Sequence, residues 1–182
     1  MTTMAAIAGA TNKLKFGMNV ASVALRNPLV LAKQCATIDV LSNGRILPAF
    51  GIGSTFSADW RSTGTPTKRR GKRTDEGLEI ISRLWRGETV KMDGEFFQYD
   101  GVRISPLPVQ KNIPLWIGGS SDAAVRRTIK FGTGWQASFE NPDQAGVTVA
   151  KIKQGMRDAG RDFEEDHFGT GINFRFGKWE DD

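Results

Sequence analysis

Pro114-Leu-Trp-Ile-Gly-Gly-Ser-Ser121, running on through Asp-Ala-Ala-Val-Arg-Arg-Thr-Ile-Lys-Phe to Gly132, decides how this chain reads. Leu115 to Ile117 is a short apolar run suited to a buried strand. Two glycines stop it, and Ser-Ser-Asp begins a helix. A strand that ends in glycines and turns into a helix N-terminus leaves backbone N–H groups free at the positive end of the dipole. That arrangement suits a phosphate, so Gly118, Gly119, Ser120 and Ser121 are the leading binding candidates. The plainer alternative is a tight Gly-Gly turn with a serine as helix cap.

The same strand-then-helix grammar extends both ways. Residues 3 to 11 read as the end of an alanine-rich helix, and Lys13 to Val20 alternates as a strand does. Asn27-Pro28 is a cap and first-turn pair opening a helix with Leu31, Cys35 and Ile38 on one face; Ser42-Asn-Gly44 closes it. Arg45 to Ile52 is a second strand ending in Gly51-Ile-Gly-Ser54. A helix over 74–86 places Leu78, Ile81 and Trp85 together. An excursion at about 88–112 follows, with a hairpin over 90–99 turning at Asp93-Gly94 and an extended linker at Pro106 to Gln110. Gly134 to Ser138 is another strand. Asn141-Pro142 opens a helix carrying Ala145, Val149, Ile152, Met156 and Ala159 on one stripe. Phe168 to Phe176 alternates as the last strand, with Ile172, Phe174 and Phe176 on one side and Asn173 and Arg175 on the other. About five strand–helix repeats imply an α/β fold with parallel strands in a single domain over 1–182.

Composition narrows the function classes. With 39% of its 182 residues hydrophobic and 25% charged, the chain fits a globular domain. No stretch approaches the roughly 20 apolar residues of a membrane span, and the N-terminus lacks the basic start of a signal peptide. Cys35 is the single cysteine, so no internal disulfide forms and a cytoplasmic location is expected. The net charge of +5 gathers partly in Lys68-Arg-Arg-Gly-Lys-Arg73. This run reads either as a solvated loop entering a helix or as a contact for phosphates or an anionic tail. Nucleic-acid binding is not expected, because no aromatic residues interleave it. No cluster has metal-ligand spacing, and there is no Ser-His-Asp arrangement.

Four ordered segments carry a family resemblance. These are Lys13-Leu-Lys-Phe-Gly-Met-Asn-Val20; Arg26-Asn-Pro28 through Arg45; Arg73-Thr-Asp-Glu-Gly-Leu-Glu79 with Leu84-Trp85; and Pro106-x-Pro-x-Gln110 through Trp135. The set resembles the luciferase-like flavin and deazaflavin oxidoreductases, a (β/α)8-barrel group of the TIM type. Arg26-Asn-Pro28 and Asp100-Gly-Val-Arg-Ile104 look most like its coenzyme F420 branch, with FMN users close by. The resemblance implies strands three to seven of eight, hence an incomplete, truncated barrel with two open edges. A (β/α)8 barrel takes about 200–250 residues or more. It further implies a homodimer, a small organic substrate, and F420 or FMN as cofactor. The other reading is a non-catalytic remnant that binds a flavin-like ligand or a partner chain.

Several residue roles follow from the resemblance. In the family the peptide matching Asn19-Val20 is a non-proline cis bond whose bulge supports the tricyclic ring. Cofactor contacts also fall at the positions of Gly53 and Ser54; bacterial luciferases carry a reactive cysteine and an arginine there, so bioluminescence chemistry is not expected. Trp135 ends the next strand as Gly132-Thr-Gly-Trp135, where the family often has Gly-Asp-Gly-Trp, and serves either as a core plug or as a pocket wall. No residue is assigned as general acid or base. His167 precedes the last strand and so belongs to the opposite face of the barrel, away from chemistry. Cys35 lies on an apolar helix face as a core residue. Pro48 removes a ladder donor inside a strand, which points to a locally altered sheet.

Overall fold

The computed structural model describes residues 1–162 and 166–171. Helix α1 (Thr2–Ala10) leads to strand β1 (Ala21–Ser22) and helix α2 (Pro28–Ser42). Strand β2 (Ala49–Gly51), the one-turn helix α3 (Asp59–Ser62) and the long helix α4 (Arg70–Trp85) follow. Strands β3 (Val90–Asp93) and β4 (Gln98–Val102) form an antiparallel hairpin. The chain then continues through β5 (Trp116–Gly118), α5 (Asp122–Phe131), β6 (Gly134–Gln136), α6 (Pro142–Asp158) and β7 (Phe168–Gly169). Five strands make one parallel sheet in the order β1-β2-β5-β6-β7. This is a partial barrel, as expected.

Local chemistry sets the element ends. The Asn27 carboxamide accepts from the Leu29 and Val30 amides, with Pro28 in the first turn, and Asn43 ends α2 in the left-handed region at φ 53°. Asn141 and Gln144 form a reciprocal capping box at the start of α6. That helix ends at Asp158, so Ala159 is an exposed cap and not the last residue of the apolar stripe.

The strands are shorter than the alternation predicts. Of Lys13 to Val20, Phe16 alone pairs, in an isolated parallel bridge to Ile46, and the ladder begins at Ala21. Pro48 divides the second strand into that bridge and β2. Its carbonyl still accepts from the Trp116 amide at 3.0 Å, but it has no N–H to return. The hairpin loop is longer than Asp93-Gly94: Asp93 still pairs with Gln98, and the Gly94 amide donates to the Phe97 carbonyl. Helix α4 starts at Arg70, inside the basic run. Arg69 pairs with Glu95, and the Arg73 guanidinium donates to the Ala24 carbonyl and lies over the Phe97 ring, so much of the run clamps α4 to its neighbours. Of the last expected strand, Phe168–Gly169 joins the sheet, while positions 172–176 lie outside the described residues.

Register decides which side chains see which layer. Phe50 and Ile117 enter a core with Leu31, Leu78 and Ile81, and Trp135 enters a second one with Ile152 and Met156. The alternate positions Gly51, Trp116, Gly118, Gly134 and Gln136 take the other face of the sheet. There the Trp116 ring lies across glycines: a β-carbon on Gly134 would come within 2.4 Å of it, and one on Gly169 within 2.7 Å. Asp39, fully buried on α2, accepts from the Val109 and Gln110 amides and from the Gln110 carboxamide, which fixes the linker ahead of β5.

Candidate functional site

The C-terminal ends of β2 and β5 meet under one residue. The Asn19-Val20 peptide is cis. The Val20 side chain rests on both strands: a β-carbon on Gly51 would meet it at 2.7 Å, and one on Gly118 at 2.9 Å. Val20 is 39% exposed, so its outer side is open. Asn19, Val20 and Gly118 thus form one surface, with Ser22 beside Gly51 in register.

Gly53 and Ser54 continue β2 at the neighbouring edge of this surface. Gly53 has φ 78°, and a side chain there would collide with Ser22 and Trp60. The Ser54 carbonyl accepts from the Trp60 indole at 2.7 Å, while its hydroxyl accepts from the Phe56 amide. Both residues are therefore committed to shaping the loop, with the Ser54 side chain exposed.

The Gly118–Ser121 turn is built as its sequence predicts, with each polar group accounted for. Gly119, at φ 104°, donates its amide to the Gln136 carbonyl at 3.2 Å and accepts the Trp135 indole N–H at 2.8 Å. The Ser121 hydroxyl accepts from the Ala124 amide as the N-cap of α5. Trp135 is 1% exposed and its ring stays in the helix-side core, so it holds the turn from beneath. The N-terminal amides of α5 begin at this turn, and the Ser121 cap takes that of Ala124.

Beneath the turn lies a small pocket of about 70 Å³ bordered by Ile52, Thr74, Leu78, Gly119, Ser121 and Arg127. Thr74 is 1% exposed, and its hydroxyl has no hydrogen-bond partner. One turn back on the same face of α4, the Arg70 Nε is likewise buried and unpartnered. Arg127 is engaged by Asp75 at 2.5 Å. A turn opened by two glycines, a helix N-terminus and an orphaned buried hydroxyl fit a phosphate group.

Glu140, just past β6, faces an open cavity together with Ser120, Ser138 and Phe139. Its carboxylate accepts from the Ser138 and Phe139 amides, with the Ser120 hydroxyl lining the same cavity. Burial raises its pKa, but these hydrogen bonds outweigh burial and hold it below the usual glutamate range. Thr74 and Glu140 were not legible as site residues. Thr74 reads as one more helix position, and Glu140 as a polar loop residue before a cap.

A cavity of about 430 Å³ lies at the other end of the strands, near Trp85, Lys111, Leu115, Phe131, Arg161 and His167. Size does not make it the site, because parallel sheets bind ligands at the C-terminal ends of their strands. Its polar groups are spent on the fold. Arg161 caps α5 through the Ile129 and Gly132 carbonyls, and His167 Nδ1 sits 3.0 Å from the Thr133 carbonyl. Cys35 is fully buried, as its helix position predicts, and burial pushes its thiol up to about 12. Among the described residues there is no cluster able to hold a metal ion, and no helix long and apolar enough to cross a membrane.

Known proteins share this arrangement. An uncharacterised protein of Mycobacterium tuberculosis is 33% identical over 158 residues, covering 86% of this chain and 54% of that protein. An F420-dependent glucose-6-phosphate dehydrogenase of Gordonia bronchialis is 28% identical, covering 88% and 49%. The crystal structure of the monooxygenase RslO1 from Streptomyces bottropensis superposes with a TM-score of 0.83 at 23% identity, covering 93% and 52%, and shows the same fold. The chain spans about half the length of each of these relatives. The family model described as luciferase-like monooxygenase matches residues 1–178, and with the parallel partial barrel this places the chain in the luciferase-like monooxygenase family.

Proposed function

We propose that this chain binds F420 or FMN at the C-terminal ends of its strands and serves an oxidoreductase acting on a small organic substrate. The observation that carries the reading is the Thr74 hydroxyl, buried and unpartnered beneath the glycine turn at the N-terminus of α5. The F420-dependent relative supports the deazaflavin reading, and the family description supports oxygen chemistry on a flavin. When bound, the cofactor supplies hydride transfer in the first case and oxygen activation in the second.

The chain's own residues bind and orient. Thr74 and the α5 amides hold the phosphate, with Gly119 placing no side chain in its way. Val20 supports the ring system from its perch on Gly51 and Gly118. Gly53 and Ser54 border the site on the β2 side. Trp135 acts only through the Gly119 carbonyl. We further place the protein in the cytoplasm, where its one buried thiol stays reduced, and in a homodimer that covers open sheet edges.

Titration of the purified protein with F420 and with FMN, followed by cofactor fluorescence, tests the reading. Micromolar binding lost on Thr74→Val supports it, because that change removes the hydroxyl and keeps the volume. Absence of binding to both cofactors by a folded protein refutes it. Binding without turnover favours the second reading, a ligand-binding unit that does no chemistry.

A further inference from the structure

The phosphate cradle carries its own anion. The Glu140 carboxylate borders the cavity that Ser120 opens onto. It is held in place by two backbone amides, Ser138 at 2.6 Å and Phe139 at 3.1 Å. A ligand phosphate seated on Gly118 to Ser121 therefore has a fixed negative charge as neighbour.

The surrounding charges do not offset this. The Arg127 guanidinium, which lines the pocket below, is already neutralised by Asp75. Asp122 in the first turn of α5 is another carboxylate at the same helix end, with Lys151 at 3.9 Å. Arg70, one turn before Thr74 on α4, has a buried, unpartnered Nε but lines neither cavity. A resident carboxylate, with no unspent cation lining either cavity, suits a ligand group bearing a single negative charge. It disfavours a second charge on the same phosphorus, since like charges in a shared site raise the cost of ionisation.

The two cofactor classes differ in this property. The phosphate of FMN is a terminal monoester, carrying about −1.5 to −2 at neutral pH as phosphate monoesters do. The phosphate of F420 is an internal diester with one charge. Resting on the cofactor reading above, we infer that Glu140 is a specificity-determining residue that selects a phosphodiester, and hence the deazaflavin, over a phosphomonoester.

The test compares the wild type and Glu140→Gln, an isosteric change, in fluorescence titrations with F420, FMN and riboflavin at pH 8. The wild type is expected to bind F420 more tightly than FMN. In Glu140→Gln, FMN affinity should rise about tenfold, F420 affinity by about threefold at most, and riboflavin affinity not at all, as follows from removing one like charge. Equal gains for both phosphates, or no change for either, overturn the inference while leaving the cradle intact. Failure of both cofactors to bind either protein overturns the cradle reading and the inference with it. Should Glu140→Gln fail to fold by circular dichroism, the wild type alone decides. Lowering the pH from 8 to 5.5 protonates the monoester, whose second pKa is about 6. The F420-to-FMN affinity ratio should then fall about threefold or more, and a constant ratio refutes the inference.

Discussion

The Trp135 indole N–H donates to the Gly119 carbonyl at 2.8 Å, tying the second core to the turn that forms the cradle. The tie runs from β6 back to the end of β5, between strands paired in parallel at Ile117 and Trp135. It explains how a turn with two glycines in succession keeps one shape. Trp135→Phe keeps an aromatic side chain but removes the donor together with the pyrrole ring. It should cost about 1–3 kcal/mol in urea unfolding and weaken cofactor binding several-fold. Unchanged stability and affinity would show that the turn holds itself.

Asp39 makes the corresponding anchor at the other end of β5. Its carboxylate takes three donors from Val109 and Gln110, and the Gln110 carboxamide also reaches the Ile46 carbonyl. The Asp39→Ala protein leaves these donors without an acceptor in a part-buried setting. A loss of about 3 kcal/mol or more is expected from the denaturant midpoint. A loss below about 1 kcal/mol would mean that water replaces the carboxylate.

Gly134 is demanded by the indole above it, not by its backbone angles. Gly134→Ala should destabilise the fold by about 1–3 kcal/mol through overpacking. Adding Trp116→Leu should recover part of that loss, measured as a coupling in a double-mutant cycle. Strictly additive effects would place the strain elsewhere.

Cys35 should resist thiol reagents in the folded state. Burial raises its pKa to about 12, so thiolate is scarce at neutral pH. Reaction with a chromogenic disulfide should be slow in buffer and complete in denaturant. Rapid labelling in buffer would show that α2 opens readily.

Glu140 ties the site to acid stability. Its folded pKa lies below the unfolded glutamate value of about 4.3. Its contribution is therefore fully present above that value and lost as pH falls through the lower folded one. Glu140→Gln should show a shallower loss of stability on the acid side than the wild type in denaturant titrations across pH 5 to 2. Parallel curves would remove Glu140 from the account.

Local signals were the ones the sequence made legible. Asn27-Pro28 and Asn141-Pro142 marked helix starts because a cap acts within three or four residues. The Gly118–Ser121 turn was readable for the same reason. Ladder boundaries were not, since Phe16 and Ala21 pair according to where Ile46 and Phe50 lie, and Pro48 interrupts from the partner strand. The side taken by Trp135 depends on register, which a shift of one residue would reverse. Thr74 and Glu140 join the site only through packing of α4 against α5 and folding of the β6 loop toward Ser120, contacts that leave no mark in a linear pattern.

The Trp116 ring over Gly134 and Gly169 has a consequence for how the molecule divides its labour. It stands as a bulkhead at the start of β5, beside the His167 ring at a centroid distance of 5.5 Å. Groups at the Val20 end and groups at the His167 end are thereby insulated from each other. Substitutions around the roomy cavity are free to retune stability while the ligand end keeps its chemistry, and the two ends of one short sheet can drift under separate selection.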